Sequence, residues 1–426
     1  MLRGLYCTRT PAASRRQLHI WASTQKGTTL HTRPHGRGIR HIDLTDVQPA
    51  SSETARRINR DIILEFIREN QPLSRADLAR LSGLQRSTVS QIVEQLIHEK
   101  WVREGAQASA ARGRRPTLLH LNEDRIVLAV DIHPKHATIA TVDLNGRLLA
   151  RTTVPLTRDS AGSTQLIAEA MLRLQKDTPG KSTEGIGVSL PGRIDTLTSR
   201  LIFAPNLHWR DFDLQSTLQK KMKLPVHMEN AATACLLAEL TFGNLDGNRD
   251  VVLITVSEGV GAGVFANGRI ITGHHGMAGE FGHIVLDESG PKCACGRTGC
   301  WEVFASTRAA VRYYLDLAPG ARSIPFSQLL QLAESGDTHA AHAVEKQAHA
   351  IGRGLRTVIA ALAPSTILIA GDITSAWHRY SPILERVTAK LTLAGAPPRI
   401  LPAHDGDLAR LRGAAALVFQ RRPQRT

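Results

Sequence analysis

The sequence predicts an α/β fold, with a small helical domain near the N-terminus followed by two similar lobes of strands and helices. Three observations support this prediction. Apolar residues recur at helical spacing between residues 53 and 100, strand hairpins alternate with helices from residue 125 onward, and 42% of the 426 residues are hydrophobic. A chain of this length and composition can bury two or three substantial cores. Because no apolar run approaches the roughly eighteen residues that a membrane helix needs, we expect no transmembrane segment.

The N-terminal segment, residues 1 to 52, is predicted to be a disordered basic extension. Its first 42 residues contain eight Arg or Lys and no Asp or Glu, so they supply about half of the formal net charge of +15. A segment of this composition without apolar periodicity cannot build a core. Three interpretations remain open: an arm that binds nucleic acid, an Arg-rich transit sequence, or a start codon assigned too far upstream, which we favour.

Residues 53 to 121 are predicted to form a winged helix-turn-helix domain. The first helix carries one apolar stripe, formed by Ile58, Ile62, Ile63, Phe66 and Ile67. A capping-box pattern at Ser74 predicts the start of the second helix. A glycine-containing turn then leads into a third helix, which is the layout of the helix-turn-helix motif.

The third predicted helix presents a short polar face opposite its apolar stripe. Arginine pairs with guanine edges, glutamine pairs with adenine, and serine or threonine contacts phosphates or bases. We therefore predict that this helix lies in the major groove of DNA. The predicted contacts on it are Arg86, Ser87, Thr88, Ser90 and Gln91. The alternative is an ordinary three-helix bundle with a solvated charged face.

After the third helix, the runs WVREG and PTLLHL predict two short strands around a polar hairpin, the wing of the domain. The hairpin contains the run ARGRRP, whose arginines are Arg112, Arg114 and Arg115. A slim cationic segment of this kind fits a narrow, A·T-rich minor groove. The wing therefore favours a DNA-binding domain over the plain bundle.

From residue 124 the pattern predicts two lobes with a ligand cleft between them. Apolar strands such as RIVLAVDI and VVLITVS are separated by helical stretches, the longest at 339 to 362. We assign residues 124 to 226 plus 406 to 422 to the first lobe and residues 227 to 405 to the second. The cleft between two such lobes is the default ligand site.

One histidine and three cysteines predict a metal site in the second lobe. Cys293, Cys295 and Cys300 fall in the run CACGRTGC, and His283 precedes the first of them by ten residues. Three thiolates and an imidazole suit tetrahedral zinc, and four protein ligands make the site structural. Three of the chain's five cysteines lie here, and an odd cluster argues against disulfides. A redox or adventitious site is the alternative, and cysteines of this type fit a reducing cytoplasm.

These motifs together resemble the ROK family, whose name joins repressors, open reading frames and sugar kinases. The resemblance runs from about Ala55 to the C-terminus and rests on GVSLPGRID, APNLHW, MEN, SEGVGAG and, above all, GEFGH with CACGRTGCWE. It implies two actin-like (ribonuclease H-like) lobes, and members with an N-terminal winged helix regulate sugar metabolism genes. The positions that it implies for sugar contact are Asn206, Asn230, Glu280, His283 and Glu302. The alternative is that these polar groups only satisfy each other.

Three departures from the kinase members of the family oppose phosphoryl transfer, which needs backbone donors around the phosphates, a metal and a base. In the first phosphate loop, Pro134 removes a donor where the kinases have a glycine-rich turn. In the second, Glu258 sets a carboxylate against the triphosphate. Ala231 stands where the kinases hold the catalytic aspartate, so no base is present. We therefore expect no enzyme activity and assign no catalytic residue.

The sequence thus predicts a cytoplasmic, sugar-responsive, DNA-binding regulator that represses carbohydrate metabolism genes. We expect a homodimer or homotetramer on a palindromic double-stranded operator, a sugar or sugar phosphate effector, a zinc cofactor and no membrane partner. The alternative is a ROK sugar kinase with a fused DNA-binding module. A third possibility is a regulator that senses a partner protein and no sugar.

Overall fold

The molecule is an α/β protein with a helical N-terminal domain and two five-stranded sheets, as predicted. The structure, a computed structural model, describes residues 52–107, 115–195, 198–204, 207–243, 245, 247–390, 396–404 and 406–420. Three predicted contacts, Arg112 and Arg114 in the wing and Asn206 in the cleft, lie outside the described residues, as does nearly all of the basic extension. Among the helices that it does describe, none has the length and apolar character to span a membrane.

Three helices and a three-stranded antiparallel sheet form the N-terminal domain. The Oγ of Ser74 accepts a hydrogen bond from the Asp77 backbone, and the Asp77 carboxylate accepts one from the Ser74 backbone, which is the predicted capping box. Gly83 ends the second helix with φ of 70° and makes the predicted turn. The elements are α1 (Ser52–Asn70), β1 (Leu73–Ser74), α2 (Arg75–Ser82), α3 (Arg86–His98), β2 (Val102–Gln107) and β3 (Thr117–Leu121).

Part of the predicted apolar stripe of α1 is buried and part of it is exposed. Ile63 and Ile67 are fully buried in the domain core, whereas Ile58 and Ile62 expose 51% and 40% of their surface. The core covers only one side of the second half of α1, so the residues on the adjacent face remain in contact with water. Leu144 of the first lobe completes this core.

The first lobe is a sheet of order β11-β7-β4-β5-β6, with α4 and α5 on one face. β4, β5 and β6 form an antiparallel meander, and β7 and β11 extend it as parallel strands. The elements are β4 (Arg125–Ile132), β5 (His136–Asp143), β6 (Leu148–Pro155), α4 (Ser160–Lys176), β7 (Ser182–Leu190), β8 (Arg193–Ile194), β9 (Leu201–Ala204), β10 (Trp209–Phe212), α5 (Leu214–Met222) and β11 (Val226–Asn230).

The second lobe repeats this plan with the order β16-β15-β12-β13-β14. Its elements are α6 (Ala231–Phe242), β12 (Val251–Val256), β13 (Val260–Ala266), β14 (Arg269–Ile270), α7 (Glu302–Ala305), α8 (Thr307–Leu317), α9 (Phe326–Glu334), α10 (Thr338–Leu362), β15 (Thr366–Ala370), α11 (Trp377–Thr388) and β16 (Arg399–Pro402). Again an antiparallel hairpin is followed by parallel strands, which confirms the prediction of two similar lobes.

The predicted boundary between the lobes, after residue 226, lies one strand too early. β11 pairs with β7 in the first sheet, so the chain enters the second lobe only after Asn230. The last helix, α12 (Ala409–Gln420), returns to the first lobe and covers the face of its sheet that carries Val127 and Val142. It packs closely on α6, because a Cβ at Gly413 would lie 1.8 Å from the Ala234 carbonyl oxygen.

Candidate ligand cleft and metal centre

A cavity of about 870 Å³ opens between the two lobes. The residues that follow β4, β7 and β12 line it, together with the start of α6 and the segment from 276 to 285. Its size is ample for a small-molecule ligand. The cavity contains both the predicted sugar contacts and the two loops that kinase members would use for phosphates, so its two ends can be compared directly.

The four predicted metal ligands meet at one wall of this cleft. One atom from each of His283, Cys293, Cys295 and Cys300 lies within 4.8 Å of the others. The Sγ atoms of Cys295 and Cys300 are 3.7 Å apart, and Cys293 Sγ lies 3.6 Å from His283 Nδ1. Tetrahedral bonds of about 2.0 to 2.3 Å to zinc place the ligand atoms roughly 3.5 to 3.8 Å apart. The group therefore has the donors and the spacing of a metal site.

Backbone geometry and one buried side chain hold the ligand loop. Gly296 and Gly299 have φ of 92° and 71°, and a Cβ at Gly299 would lie 1.5 Å from the Asp287 carbonyl oxygen. Only glycine fits this approach. Trp301, directly after the third cysteine, is fully buried, and its Nε1 donates to the carbonyl oxygen of Ala350 in α10 at 2.9 Å. The loop is thereby anchored to the core of the second lobe.

The thiol of Cys293 is held in its neutral form when no cation is bound. Burial raises the pKa of Cys293 to about 12. Its Sγ donates toward Glu302 Oε1 at 3.7 Å. A metal binds the thiolate, so metal binding at this residue releases a proton.

Four of the predicted sugar contacts are described, and all four line the cleft, namely Asn230, Glu280, His283 and Glu302. Asn230 is tied at both ends of its amide. Its Oδ1 accepts from the first turn of α6 at 2.9 Å, and its Nδ2 donates to the Gly192 carbonyl at 2.7 Å. Glu302 Oε2 accepts from the Val260 backbone at 3.1 Å. Both side chains are therefore structural, although each has further hydrogen-bonding capacity.

Of these four side chains, Glu280 has the weakest contacts with other described protein groups. Its side chain exposes 42% of its surface, and its Oε2 lies 3.6 Å from His283 Nε2. The imidazole thus presents Nδ1 to the thiols and Nε2 toward Glu280. Partial removal from water raises the pKa of Glu280, with Glu302 acting in the same direction while His283 and Arg193 oppose it.

The opposite end of the cleft is occupied by side chains that contact each other. Asp131 is 3% exposed, and its Oδ2 lies 2.6 Å from His133 Nε2. Arg410, in the first turn of α12, lies 3.5 Å from His133 Nδ1 and donates to Ser257 Oγ at 3.2 Å. Burial is the largest single influence and lowers the pKa of Arg410, but Asp131, Cys235 and Asp372 together outweigh it, so the pKa is raised. Arg410 is therefore a fixed cation between the lobes.

The backbone amides of the two loops at this end are largely used within the protein. His133 N donates to the carbonyl of its own hairpin at 2.8 Å, and Pro134 has no N–H. In the second loop, Ser257 N and Gly261 N donate to neighbouring oxygens at 2.9 and 3.2 Å. Amides that are already bonded cannot surround a phosphate without rearrangement.

The predicted DNA surface is exposed on α3 and at the end of the wing. Arg86, Ser87 and Gln91 are exposed, and Thr88 and Ser90 are half-buried. In the described part of the wing, Arg115 is exposed. Behind this surface, the Arg75 guanidinium donates to Glu94 at 2.7 Å and to Glu104 at 2.6 Å. This pair of bonds ties α2 to α3 and to the wing strand β2.

Three polar side chains in or near the cleft were not predicted from the sequence. Arg193 and Arg410 line the cleft. His275 Nδ1 of the second lobe lies 2.9 Å from Asp195 Oδ2 of the first lobe. Arginine within the otherwise Ala- and Leu-rich stretch ARLRGAAALV was a signal for Arg410. The contact between His275 and Asp195 joins residues eighty positions apart, so no local sequence pattern could have predicted it.

The fold and the cleft together define a two-lobed α/β ligand-binding protein with a fused helix-turn-helix domain. Residues 127–421 match the model of the ROK family, and residues 61–105 match the IclR helix-turn-helix domain. The chain belongs to the ROK family, which confirms the resemblance.

Three known proteins illustrate the range of this similarity. The xylose repressor of Bacillus subtilis is 30% identical over 379 residues, which cover 87% of this chain and 97% of the repressor. A ROK family transcriptional regulator, a homologue of the E. coli MLC protein, superposes with a TM-score of 0.73 at 25% identity over 86% of this chain and 96% of the other. A ROK glucokinase from Streptomyces griseus, in complex with glucose and AMPPNP, gives 0.64 at 29% identity over 70% of this chain and 100% of the other.

Proposed function

We propose that this protein is a sugar-responsive transcriptional regulator that represses carbohydrate metabolism genes. One observation carries the proposal. A single buried helix, α6, begins in the ligand cleft and ends at the base of the DNA-binding domain. The similarity to the xylose repressor over most of both chains supports the assignment as a repressor.

The cleft end of α6 is connected to both lobes. Its first residues, Ala231 to Thr233, line the cavity. Asn230 caps the helix with one amide atom and holds the first-lobe carbonyl of Gly192 with the other. A ligand that draws the lobes together therefore acts directly on the start of this helix.

The other end of α6 meets the DNA-binding domain. Leu240 and Thr241 line a cavity of about 120 Å³ together with Leu64 and Trp101 of that domain. The next residue, Phe242, packs edge to face on Phe419 of α12, with ring centroids 6.2 Å apart. A helix of this length spans about 18 Å. Because a packed helix moves as a unit, displacement at the cleft reaches the DNA-binding domain.

In this mechanism the effector and DNA are coupled reciprocally. We propose a homodimer or homotetramer that binds a palindromic operator, in which effector binding changes the separation of the paired winged helices. The DNA contacts are those predicted on α3 and in the wing. We place the protein in the cytoplasm, where its free thiols remain reduced.

We assign the cofactor at the four-ligand site as structural zinc. With His283, Cys293, Cys295 and Cys300 as ligands, no position remains for a substrate. The bound ion would fix the loop that carries Glu280 and Glu302. Together with Asn206, Asn230 and the Nε2 side of His283, these groups would contact sugar hydroxyls.

A sugar kinase is the second candidate function, favoured by the similarity to the glucokinase. Three features of the cleft oppose it. Ala231 has no carboxylate to accept the proton of a sugar hydroxyl, the loop amides are engaged, and Arg410 fills the space near Asp131. We therefore propose that the phosphate-binding end has lost its catalytic function.

The decisive experiment is operator binding with and without sugars. Purified protein is expected to protect a region upstream of its own or neighbouring sugar genes at low salt, and one sugar or sugar phosphate should release it. Screening the same compounds for thermal stabilisation identifies the effector, because a ligand of the folded state raises stability by mass action. Failure to protect any such region contradicts the proposal. If a cell lysate releases the operator while no sugar binds, the sensed molecule is a partner protein.

ATP turnover over a panel of hexoses, pentoses and amino sugars separates the regulator from the kinase. We expect no sugar-dependent hydrolysis above background. Sugar-dependent turnover at the rate of the glucokinase, assayed in parallel, would establish the second candidate.

A further inference from the structure

We infer that Arg193 makes this cleft selective for an acidic carbohydrate, one in which a carboxylate or phosphate group accompanies the hydroxyls. The inference rests on the proposed function, since it names the class of effector. It goes beyond that function by assigning a residue to the selection and by excluding neutral sugars as the preferred ligand.

Arg193 is held in a fixed position on the first-lobe wall. It begins β8, where its backbone pairs with Phe203 of β9. The preceding Gly192 has φ of 119°, and a Cβ there would lie 2.5 Å from the Phe203 carbonyl oxygen. The Asn230 amide holds the Gly192 carbonyl as well. The arginine is thus placed by a rigid turn and not by a free loop.

The guanidinium of Arg193 has no partner in the part of the chain that the structure describes. Its Nε is buried without a hydrogen bond, and the side chain lines the cleft. A buried donor left unpaired is costly and rare. Arg410, at the other end of the same cleft, shows the contrast, because it is bonded to Ser257 and lies beside His133. Arg193 therefore differs from Arg410, which is bonded, and from the exposed Arg297, because it is a cleft arginine with a buried nitrogen whose partner remains to be supplied.

The neighbouring carboxylate of Glu280 does not supply that partner. Glu280 is close enough to Arg193 to influence it electrostatically, but the two form no ion pair within the described residues. A guanidinium fork binds a carboxylate or phosphate through two parallel hydrogen bonds, which a neutral hydroxyl cannot match.

The two walls of the cleft therefore differ in charge. The second-lobe wall presents the carboxylates of Glu280 and Glu302, which accept hydrogen bonds from sugar hydroxyls and repel an acid. The first-lobe wall presents Arg193, together with Glu229, whose Oε1 already accepts a hydrogen bond from the Asn230 backbone at 2.9 Å. A ligand with hydroxyls at one end and an acid group at the other would bridge the lobes in a single orientation, as lobe closure requires.

Matched pairs of probes test the inference on the full-length protein. The pairs are glucose with glucose 6-phosphate and glucuronate, xylose with xylonate, and N-acetylglucosamine with its 6-phosphate. We expect an acid member to bind at least about tenfold more tightly than its neutral parent by calorimetry, as a desolvated charge pair allows, and to release DNA. Comparing the affinities of the phosphate and carboxylate probes then shows which acid group the site binds.

Three variants complete the test. Arg193→Gln should reduce the affinity of the acid to that of the neutral parent and leave the parent within about twofold, with an unchanged melting temperature of the free protein. Arg193→Lys keeps the charge without the fork and should retain part of the preference. Arg322→Gln removes an exposed arginine that does not line the cleft and should change the affinity for neither ligand.

The outcomes that overturn the inference are distinct from those that overturn the proposed function. If a neutral sugar binds as tightly as its acid, or if the acid preference survives in Arg193→Gln, the inference fails and the regulator remains. If no carbohydrate of the panel binds, the sugar response itself fails and the inference with it.

Discussion

The two ends of the cleft have opposite characters. At the end that carries Arg193 and Glu280, charged groups face the cavity without strong partners of their own. At the end that carries Asp131 and Arg410, both side chains are linked to His133 and several loop amides are engaged, although Asp131 Oδ1 is buried without a hydrogen-bond partner among the described residues. Under the proposed function, one fold keeps a recognition site next to a former catalytic site that is closed by the protein's own side chains.

The largest expected effect comes from removing one metal ligand at the end of the cleft that carries Arg193 and Glu280. Cys295→Ser should leave three ligands, release the loop that carries Glu280 and abolish the response to effector. The core of the DNA-binding domain contains no residue of the metal loop, so basal operator binding should survive in part. Operator release by the effector and elemental analysis for zinc measure the two effects.

Cys7→Ser, which alters a cysteine outside the metal loop, is the control and should behave as the wild type. A normal effector response in Cys295→Ser would show that the loop does not depend on its metal. A zinc content below about half an ion per chain in freshly purified wild-type protein would also contradict this mechanism, because a structural site should be nearly full.

The next largest effect is a loss of stability when the charge is removed at the end of the cleft that carries Asp131 and Arg410. Arg410→Met should lower the free energy of unfolding by about 3 kcal/mol, because it leaves the Asp131 carboxylate buried without a counter-charge. Urea denaturation measures the change, with Arg399→Met as the exposed control. The double variant with Asp131→Asn should recover part of the loss. A loss well under about 1 kcal/mol would mean that water screens this end and that it is not closed.

The wing variants test whether DNA binding is independent of both ends of the cleft. Arg114→Ala or Arg115→Ala should weaken operator binding by roughly 1 to 3 kcal/mol and reduce the preference for A·T flanks. The factor by which the effector weakens operator binding should stay the same. On α3, Gln91→Ala should change which operator sequences the protein prefers. Unchanged binding in both arginine variants, measured by fluorescence anisotropy, would remove the wing from the DNA interface.

The smallest effect is expected at the far end of α6. Leu240→Ala should enlarge the cavity beside Trp101 and reduce the coupling between effector and operator by about 1 kcal/mol. The separate affinities for each ligand should change little. Leu332→Ala removes a partly buried leucine from the second-lobe core and is the matched control. Equal loss of coupling in both variants would indicate general destabilisation and not a route through α6.

Local sequence signals were enough to predict the DNA-binding domain and the grouping of the four candidate metal ligands. The capping box at Ser74, the glycine turn at Gly83 and the spacing of Cys293 to Cys300 each act over a few residues. Short-range geometry of this kind depends on residues that are close together in the sequence, so a local pattern is enough to predict it. The assignment of residues to DNA and sugar contact remains a prediction.

Contacts between distant segments were not predictable in the same way. The pairing of β11 with β7, which moves the lobe boundary to Asn230, depends on a parallel register that no local pattern records. Arg410 reaches His133 across more than half of the chain, and its burial becomes apparent only when α12 lies on the first sheet. Tertiary packing decides such cases.

The return of α12 to the first lobe has a consequence for synthesis of the protein. Domains usually begin to fold as they leave the ribosome, from the N-terminal side. Here, however, the sheet face that carries Val127 and Val142 is covered only by a helix that follows the second lobe in the chain. Phe419 of that helix also packs against the core of the DNA-binding domain. A ribosome-bound intermediate can therefore possess a folded winged helix that is not yet joined to a finished ligand domain, and regulation begins only when the last helix has been made.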